Sequence, residues 1–355
     1  MEERPWWLES LRGWSYATYE ILIQRLQSRH LKNPLPLPPL DDVTCIVTGS
    51  TSGIGLEIAK QLALSRAHVV MAVRNKPAAC DLIQKWQQEF GDLSMEVMEL
   101  DLLSLKSVVN FAKAWNMRSK PLQVLINNAG IFSIGQSIKF SKDGYESHIQ
   151  INHLGPALLS ILLLPSLGKS SPSRIVNVNS IMHCMGVVDP NDLNFTKEQH
   201  NFKSAKAYSS SKLAQIMFSS ILQQWLPPEI DISIVCVSPG VAHTNVIRDL
   251  PKPMQVGYHL IPYFLLTAQE GARSALYAAT DPQIPDYCRS LKTKERPLCA
   301  YVSCDCRFVN PSKKAENLTV AEEVWERTLD MVGLPIDAVD KILQGKEVWC
   351  QFQDD

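Results

Sequence analysis

Six short runs of apolar and β-branched residues recur along the chain with helix-like stretches between them: Val43 to Val47, His68 to Val73, Met95 to Leu100, Leu122 to Ile126, Arg174 to Val178 and Ile232 to Val237. Runs that are apolar throughout, rather than alternating, read as strands buried on both faces. Strands joined by long helical crossovers pair in parallel, and the crossovers cover both sides of the sheet. The expected fold class is therefore α/β, a doubly wound parallel sheet. No internal repeat and no second core is visible, so residues 43–335 read as a single domain of the 355-residue chain.

Composition removes several function classes. Hydrophobic residues make up 45% and charged residues 20%, which excludes a disordered or coiled-coil chain. Thirty-five Lys and Arg balance 36 Asp and Glu, leaving no basic footprint for nucleic acid. The nine cysteines are scattered and no secretory signal pattern precedes them, so they read as reduced thiols of an intracellular protein. Cys304-Asp305-Cys306 lacks the further ligands of a tetrahedral site, and no metal is expected.

The first 32 residues differ from the rest. Trp6, Trp7, Trp14, Tyr16 and Tyr19 crowd them, and Trp7, Leu11, Trp14 and Ile21 are spaced for one helical stripe. Glu9, Arg12, Glu20 and Arg25 interrupt the apolar character well before the roughly 20 residues that a spanning helix requires. Residues 1–32 thus read as an amphipathic helical extension with two open uses. One is to lie in the interface of a membrane facing the cytosol, with aromatic rings and the following Arg25, Arg29 and Lys32 at the headgroups. The other is to pack on the protein's own core or on a second subunit. Residues 33–42, containing Asn33-Pro-Leu-Pro-Leu-Pro-Pro-Leu40, read as an extended linker, and 336–355 as a C-terminal tail.

The first strand runs into Thr48-Gly49-Ser50-Thr51-Ser52-Gly53-Ile54-Gly55, and a helical pattern follows. Glycines at a strand-to-helix turn allow a tight bend and a close approach of the backbone to a pyrophosphate, which the free amides of the helix N-terminus bind. That combination marks a Rossmann-type sheet. The turn lacks the Gly-Lys-Ser/Thr ending of a nucleotide-hydrolysing loop, which removes a kinase or ATPase reading. The second strand is followed by Arg74, Asn75 and Lys76, with no carboxylate to accept from a ribose 2′-hydroxyl. A guanidinium pairs instead with a 2′-phosphate, so NADP(H) is expected over NAD(H).

Thr48 to Gly55 resembles the cofactor motif of the short-chain dehydrogenase/reductase family, and further motifs follow in that family's order. Asp101-Leu102 resembles its adenine-contacting pair, and Asn127-Asn128-Ala129-Gly130 its turn beneath the adenine ribose. Pro239-Gly240-Val241 with Thr244 resembles its nicotinamide-side loop, and Asn152, Ser180, Tyr208 and Lys212 match its catalytic tetrad. Over the whole chain the sequence is similar to the plant FOREVER YOUNG oxidoreductase group, near the retinol-dehydrogenase-like reductases. The resemblance implies hydride transfer between a nicotinamide and a carbonyl or alcohol. Tyr208 would be the acid/base, Lys212 would support the phenol and hold the nicotinamide ribose, Ser180 would orient the substrate oxygen, and Asn152 would steady the backbone and a relay water.

Elementary chemistry agrees with those roles. A spacing of four places the Tyr208 phenol and the Lys212 ammonium on one helical face. An ammonium and an oxidised nicotinamide both favour phenolate, which would draw Tyr208 below the ordinary phenol value. The 28 residues from Ser180 to Tyr208 exceed what compact members of the family use and suggest an apolar flap, containing His183, Cys184, Met185, Val187, Val188 and Phe195. With Met254 to Leu266 as a second apolar cover, they point to a lipophilic substrate. His153 and His183 read more readily as completing local hydrogen bonds than as touching substrate. The competing function class is a cofactor-binding regulatory or scaffold protein with negligible turnover, against which the intact Tyr208/Lys212 pair argues.

Overall fold

The computed structural model describes residues 6–353 apart from 134, 198, 228, 244–263 and 293–297, and leaves undescribed the side chains of 6–14, 16 and 17. Its centre is one sheet of seven parallel strands: β1 (Thr44–Thr48), β2 (His68–Val73), β3 (Met95–Glu99), β4 (Val124–Asn127), β5 (Ser173–Val178), β6 (Ile232–Val237) and β7 (Ala300–Val302), in the spatial order β3-β2-β1-β4-β5-β6-β7. The direction of strand order reverses between β1 and β4, and ligands of such sheets bind beyond the carboxyl ends of the strands at that point. Six strands fall within two residues of the apolar runs. The seventh has only three residues, too few for a strand signal to rise above background.

Helices cover both faces, as two buried apolar clusters require. One cluster joins α4 (Leu105–Asn116), α5 (Gly155–Leu162), α6 (Ser204–Trp225) and α9 (Leu318–Met331), through Trp115, Leu158, Phe218 and Trp325. The other joins α2 (Gly53–Leu64), α3 (Lys76–Phe90), α7 (Ala268–Thr280) and α8 (Ile284–Lys292), through Leu62, Trp86, Leu276 and Leu291. α7 begins with a capping box between Thr267 and Glu270.

The segments outside residues 43–335 are packed on the domain. Leu40 of the linker is buried, and its amide donates to the Ser65 carbonyl at 2.8 Å. Ala338, Val339, Ile342 and Cys350 are buried in the first cluster, so the presumed tail is part of the core. The N-terminal helix α1 (Trp6–Gln27) lies against the short helical turn Ile181–Met185 and the loop after β6. No helix among the described residues is long and apolar enough to cross a membrane.

Candidate active site

The glycine turn and the Asn128-Ala129-Gly130 turn are built against each other. Thr48 Oγ1 accepts from the amides of Asn128 and Ala129 at 3.0 and 2.9 Å, and Asn128 Nδ2 donates to the Thr48 carbonyl at 2.9 Å. A β-carbon at Gly55 would lie 2.2 Å from Asn128 Nδ2, and one at Gly49, where φ is +65°, 2.9 Å from Ala129. Only glycine fits either place. Ser50 Oγ is buried without a partner among the described residues, and no side chain caps the start of α2 at Ser52. Unspent amides, an orphan hydroxyl and a turn stripped of side chains at Gly49, Gly53 and Gly55 fit a pyrophosphate. Ser50, Thr51, Ser52 and Ile54 supply the rest of the cradle.

Arg74 stands exposed just past β2 and makes no ion pair among the described residues. Asn75 caps α3, its Oδ1 accepting from the Ala78 amide at 3.1 Å. Lys76 pairs with Glu99 of β3 at 2.9 Å, a carboxylate that sequence order hides because it arrives from the neighbouring strand. Asp101 Oδ1 accepts from the Leu103 amide, while the Leu102 side chain is buried against Gly155, where a β-carbon would lie 3.1 Å away.

The four catalytic candidates come together where the sheet opens. Asn152 sits in a π-helical turn, Gln150–Leu154, that runs straight into α5. The wider turn lets its side chain reach the Gly130–Ile131 backbone: Oδ1 accepts from the Ile131 amide at 2.9 Å, and Nδ2 donates to the Ile131 carbonyl and to Ser211 Oγ. Ser180 lies two residues past the end of β5, with its hydroxyl within reach of the Tyr208 phenol. Lys212 is buried, donates from Nζ to the Val178 carbonyl at 2.9 Å, and lies 6.0 Å from the Tyr208 ring centre. Asn179 ties α6 to the end of β5 by donating to the Lys212 carbonyl at 2.8 Å.

Electrostatically the pair departs from expectation. Burial raises the Tyr208 phenol above its ordinary value, opposed by the Ser180 hydrogen bond, and burial lowers the Lys212 ammonium to about 8. In the chain itself desolvation outweighs any pull of the ammonium on the phenol.

Two neighbours escaped the sequence reading. The Phe132 ring packs edge-on to Tyr208 with centres 4.4 Å apart. His148, 6.3 Å from the Tyr208 ring, is held by buried Glu146 at 2.8 Å and accepts from the Ser133 amide. Phe132 follows Gly130 closely enough to have been suspected; His148 carried no signal. His153 bonds Thr328 at 2.7 Å, and His183 bonds the Ser180 carbonyl and the Ser312 amide, so both complete local networks. The flap is pinned to α6: Ser210 Oγ bonds both the amide and the carbonyl of Val187, and a β-carbon at Gly186 would lie 2.6 Å from the Ser209 carbonyl. Pro239 and Gly240, with φ +72°, and Val241 follow shortly after β6, at the carboxyl end of the sheet. Thr244 and most of the second apolar cover lie outside the described residues; Leu265 and Leu266 of that cover are buried.

A Rossmann-type sheet with a glycine cradle at its switch point and a Ser–Tyr–Lys cluster beside it defines a nicotinamide-nucleotide oxidoreductase. The short-chain dehydrogenase model matches residues 43–190. The chain is 57% identical over 350 residues to the dehydrogenase/reductase SDR family member FEY of Arabidopsis thaliana, covering 98% of this chain and 93% of that one. It is 35% identical to human retinol dehydrogenase 11 over 82% of this chain and 86% of that one. A solved structure of an uncharacterized Mycobacterium Paratuberculosis protein superposes with a TM-score of 0.65 at 30% identity, covering 84% and 97% of the two chains. This chain belongs to the short-chain dehydrogenase/reductase family, whose members use an NAD(P) cofactor.

Proposed function

We propose that the chain is an NADP(H)-dependent reductase or dehydrogenase acting on a lipophilic carbonyl/alcohol pair, with Tyr208 as the acid/base. The observation that carries this reading is the Ser180 hydroxyl beside the half-buried Tyr208 phenol, with the buried Lys212 next to them, at the carboxyl end of β5. The nicotinamide, when bound, supplies the hydride. Ser180 and Tyr208 present two hydroxyls to one substrate oxygen. In reduction the Tyr208 phenol gives its proton to that oxygen; in oxidation the phenolate takes it. Lys212 presents its charge beneath the ring and is positioned to hold the nicotinamide ribose, while Asn152 keeps the Gly130–Ile131 backbone in place for a relay water. The exposed Arg74 guanidinium is available to a 2′-phosphate, which supports NADP(H) over NAD(H).

The apolar flap supports a lipophilic substrate, as does the name of the retinol dehydrogenase relative. Tyr19, Leu22 and Leu26 form an exposed apolar stripe on α1, which fits peripheral contact with a membrane through residues 1–32. The protein would then be intracellular, cytosolic or on a membrane face turned to the cytosol. NADPH oxidation over a panel of apolar aldehydes and ketones tests the activity, with cofactor binding measured in parallel. Wild type should turn over part of the panel, and Tyr208→Phe should lose about 100-fold or more while still binding NADPH. Tight NADPH binding without turnover in either direction would overturn the enzyme reading in favour of a regulatory one.

A further inference from the structure

The extension treated in the sequence as separate from the catalytic domain is bonded to its nicotinamide-side loop. Gln24 of α1 is fully buried. Its Oε1 accepts from the Val241 amide at 2.8 Å, and its Nε2 donates to the Val241 carbonyl at 3.1 Å and to the Phe264 carbonyl at 2.7 Å. The neighbouring Arg25 donates twice to the Leu265 carbonyl, at 3.0 and 2.6 Å, and lies 3.6 Å from Glu270. Val241 and Phe264 stand on either side of residues 244–263 in the sequence between β6 and α7. These two stretches also pair directly, the His243 amide donating to the Leu266 carbonyl at 2.7 Å and the Leu266 amide to the Val241 carbonyl at 3.0 Å. Gly240 completes the fit: a β-carbon there would lie 2.7 Å from Gln24 Oε1 and 2.8 Å from Leu266.

We propose that Gln24 is a positioning residue for the nicotinamide-side loop: one side chain holds the backbone at both Val241 and Phe264. A primary amide suits the task because it presents an acceptor and two donors in one plane, matching the Val241 amide, the Phe264 carbonyl and the Val241 carbonyl, which it shares with the Leu266 amide. α1 is thereby part of the catalytic assembly. The inference rests on the oxidoreductase reading for its kinetic consequence, whereas the structural consequence does not.

The test uses the full-length chain with Gln24→Met, which keeps the length and loses every hydrogen bond, Gln24→Ala, and Leu22→Ser as a control on the exposed face of the same helix. Two readouts are taken: steady-state reduction of decanal by NADPH, and hydrogen exchange of the NADPH-loaded protein across residues 239–243. Gln24→Met should lower kcat/KM by about 10-fold or more and speed amide exchange at Val241 by a similar factor, with NADPH affinity and melting temperature near wild type. Gln24→Ala should behave alike or worse, and Leu22→Ser like wild type. Kinetics and Val241 exchange within twofold of wild type in Gln24→Met would overturn the proposal, as would a gain of activity, which would make α1 a plug. A fall of NADPH affinity and melting temperature in step with activity would reduce Gln24 to a general structural role. If wild type itself turns over no carbonyl, the function reading fails and Val241 exchange alone decides for or against Gln24.

Discussion

At the residue scale, burial sets the charge states around the chemistry. It raises Tyr208 and lowers Lys212 to about 8, so at neutral pH the acid/base is a phenol and the lysine beside it is still mainly cationic. A phenol is the form that protonates a carbonyl oxygen, whereas alcohol oxidation needs the phenolate. Between about pH 6 and about pH 9 kcat/KM for oxidation should therefore climb, while that for reduction stays level and then declines. Profiles measured in both directions check this, and a flat oxidation limb would contradict it. Arg74 carries a separate prediction. If its guanidinium binds a 2′-phosphate, Arg74→Ala removes charged hydrogen bonds of about 1.5–3 kcal/mol, or roughly 10- to 100-fold in NADPH affinity, and leaves NADH unchanged. Titrating both cofactors against both proteins separates this from a general loss of binding. The glycine turn and the Tyr208/Lys212 pair could be read from spacings within one turn and one helix, whereas Asn152 and Ser180, on other elements, came only with the family resemblance. Gln24, Glu99 and His148 were not, since each matters through a partner that only the tertiary fold brings near: Val241, Lys76 and the Tyr208 ring.

At the scale of elements, six of the seven strands and their parallel pairing could be read from apolar runs buried on both faces. The docking of α1 could not. Its apolar spacing announced a buried face without naming what buries it, and one polar face turned out to be buried as well. Glu20 shows the consequence. Its carboxylate is enclosed at the junction of α1 with Ser238, which donates to it at 3.5 Å, and burial pushes the group up to about 7 from 4.5. A carboxyl whose folded value lies above its unfolded value stabilises the fold below the unfolded value, and that contribution is lost as pH rises through about 7. Glu20→Gln removes the charge at nearly constant shape. It should stabilise the protein by up to roughly 3 kcal/mol above about pH 8 and by little near about pH 5, as denaturant melts at the two pH values would report. Equal effects at both would mean that Glu20 is not held in the junction.

For the whole molecule, the division into helix, linker, domain and tail describes the sequence better than it describes the object. The linker, α1 and the C-terminal segment all end up on the same two-layered core, because a sheet of seven parallel strands has two wide faces to cover and the crossover helices leave gaps at the edge. The C-terminal segment fills one of them. Val339, Ile342 and Cys350 are buried with Met331 and Val332, and Cys350 Sγ contacts the Val332 carbonyl at 3.4 Å. Burying one aliphatic side chain contributes about 1.5–3 kcal/mol, so losing several approaches the roughly 5–15 kcal/mol that separates folded from unfolded in an ordinary domain. Truncation after Pro335 should therefore lower the denaturation midpoint sharply or yield insoluble protein, whereas removal of the two terminal aspartates, Asp354 and Asp355, should leave it unchanged. Parallel guanidinium melts of the two truncations decide the matter: a stable domain ending at Pro335 would restore the tail as an appendage and require the α9 face to be covered by something else.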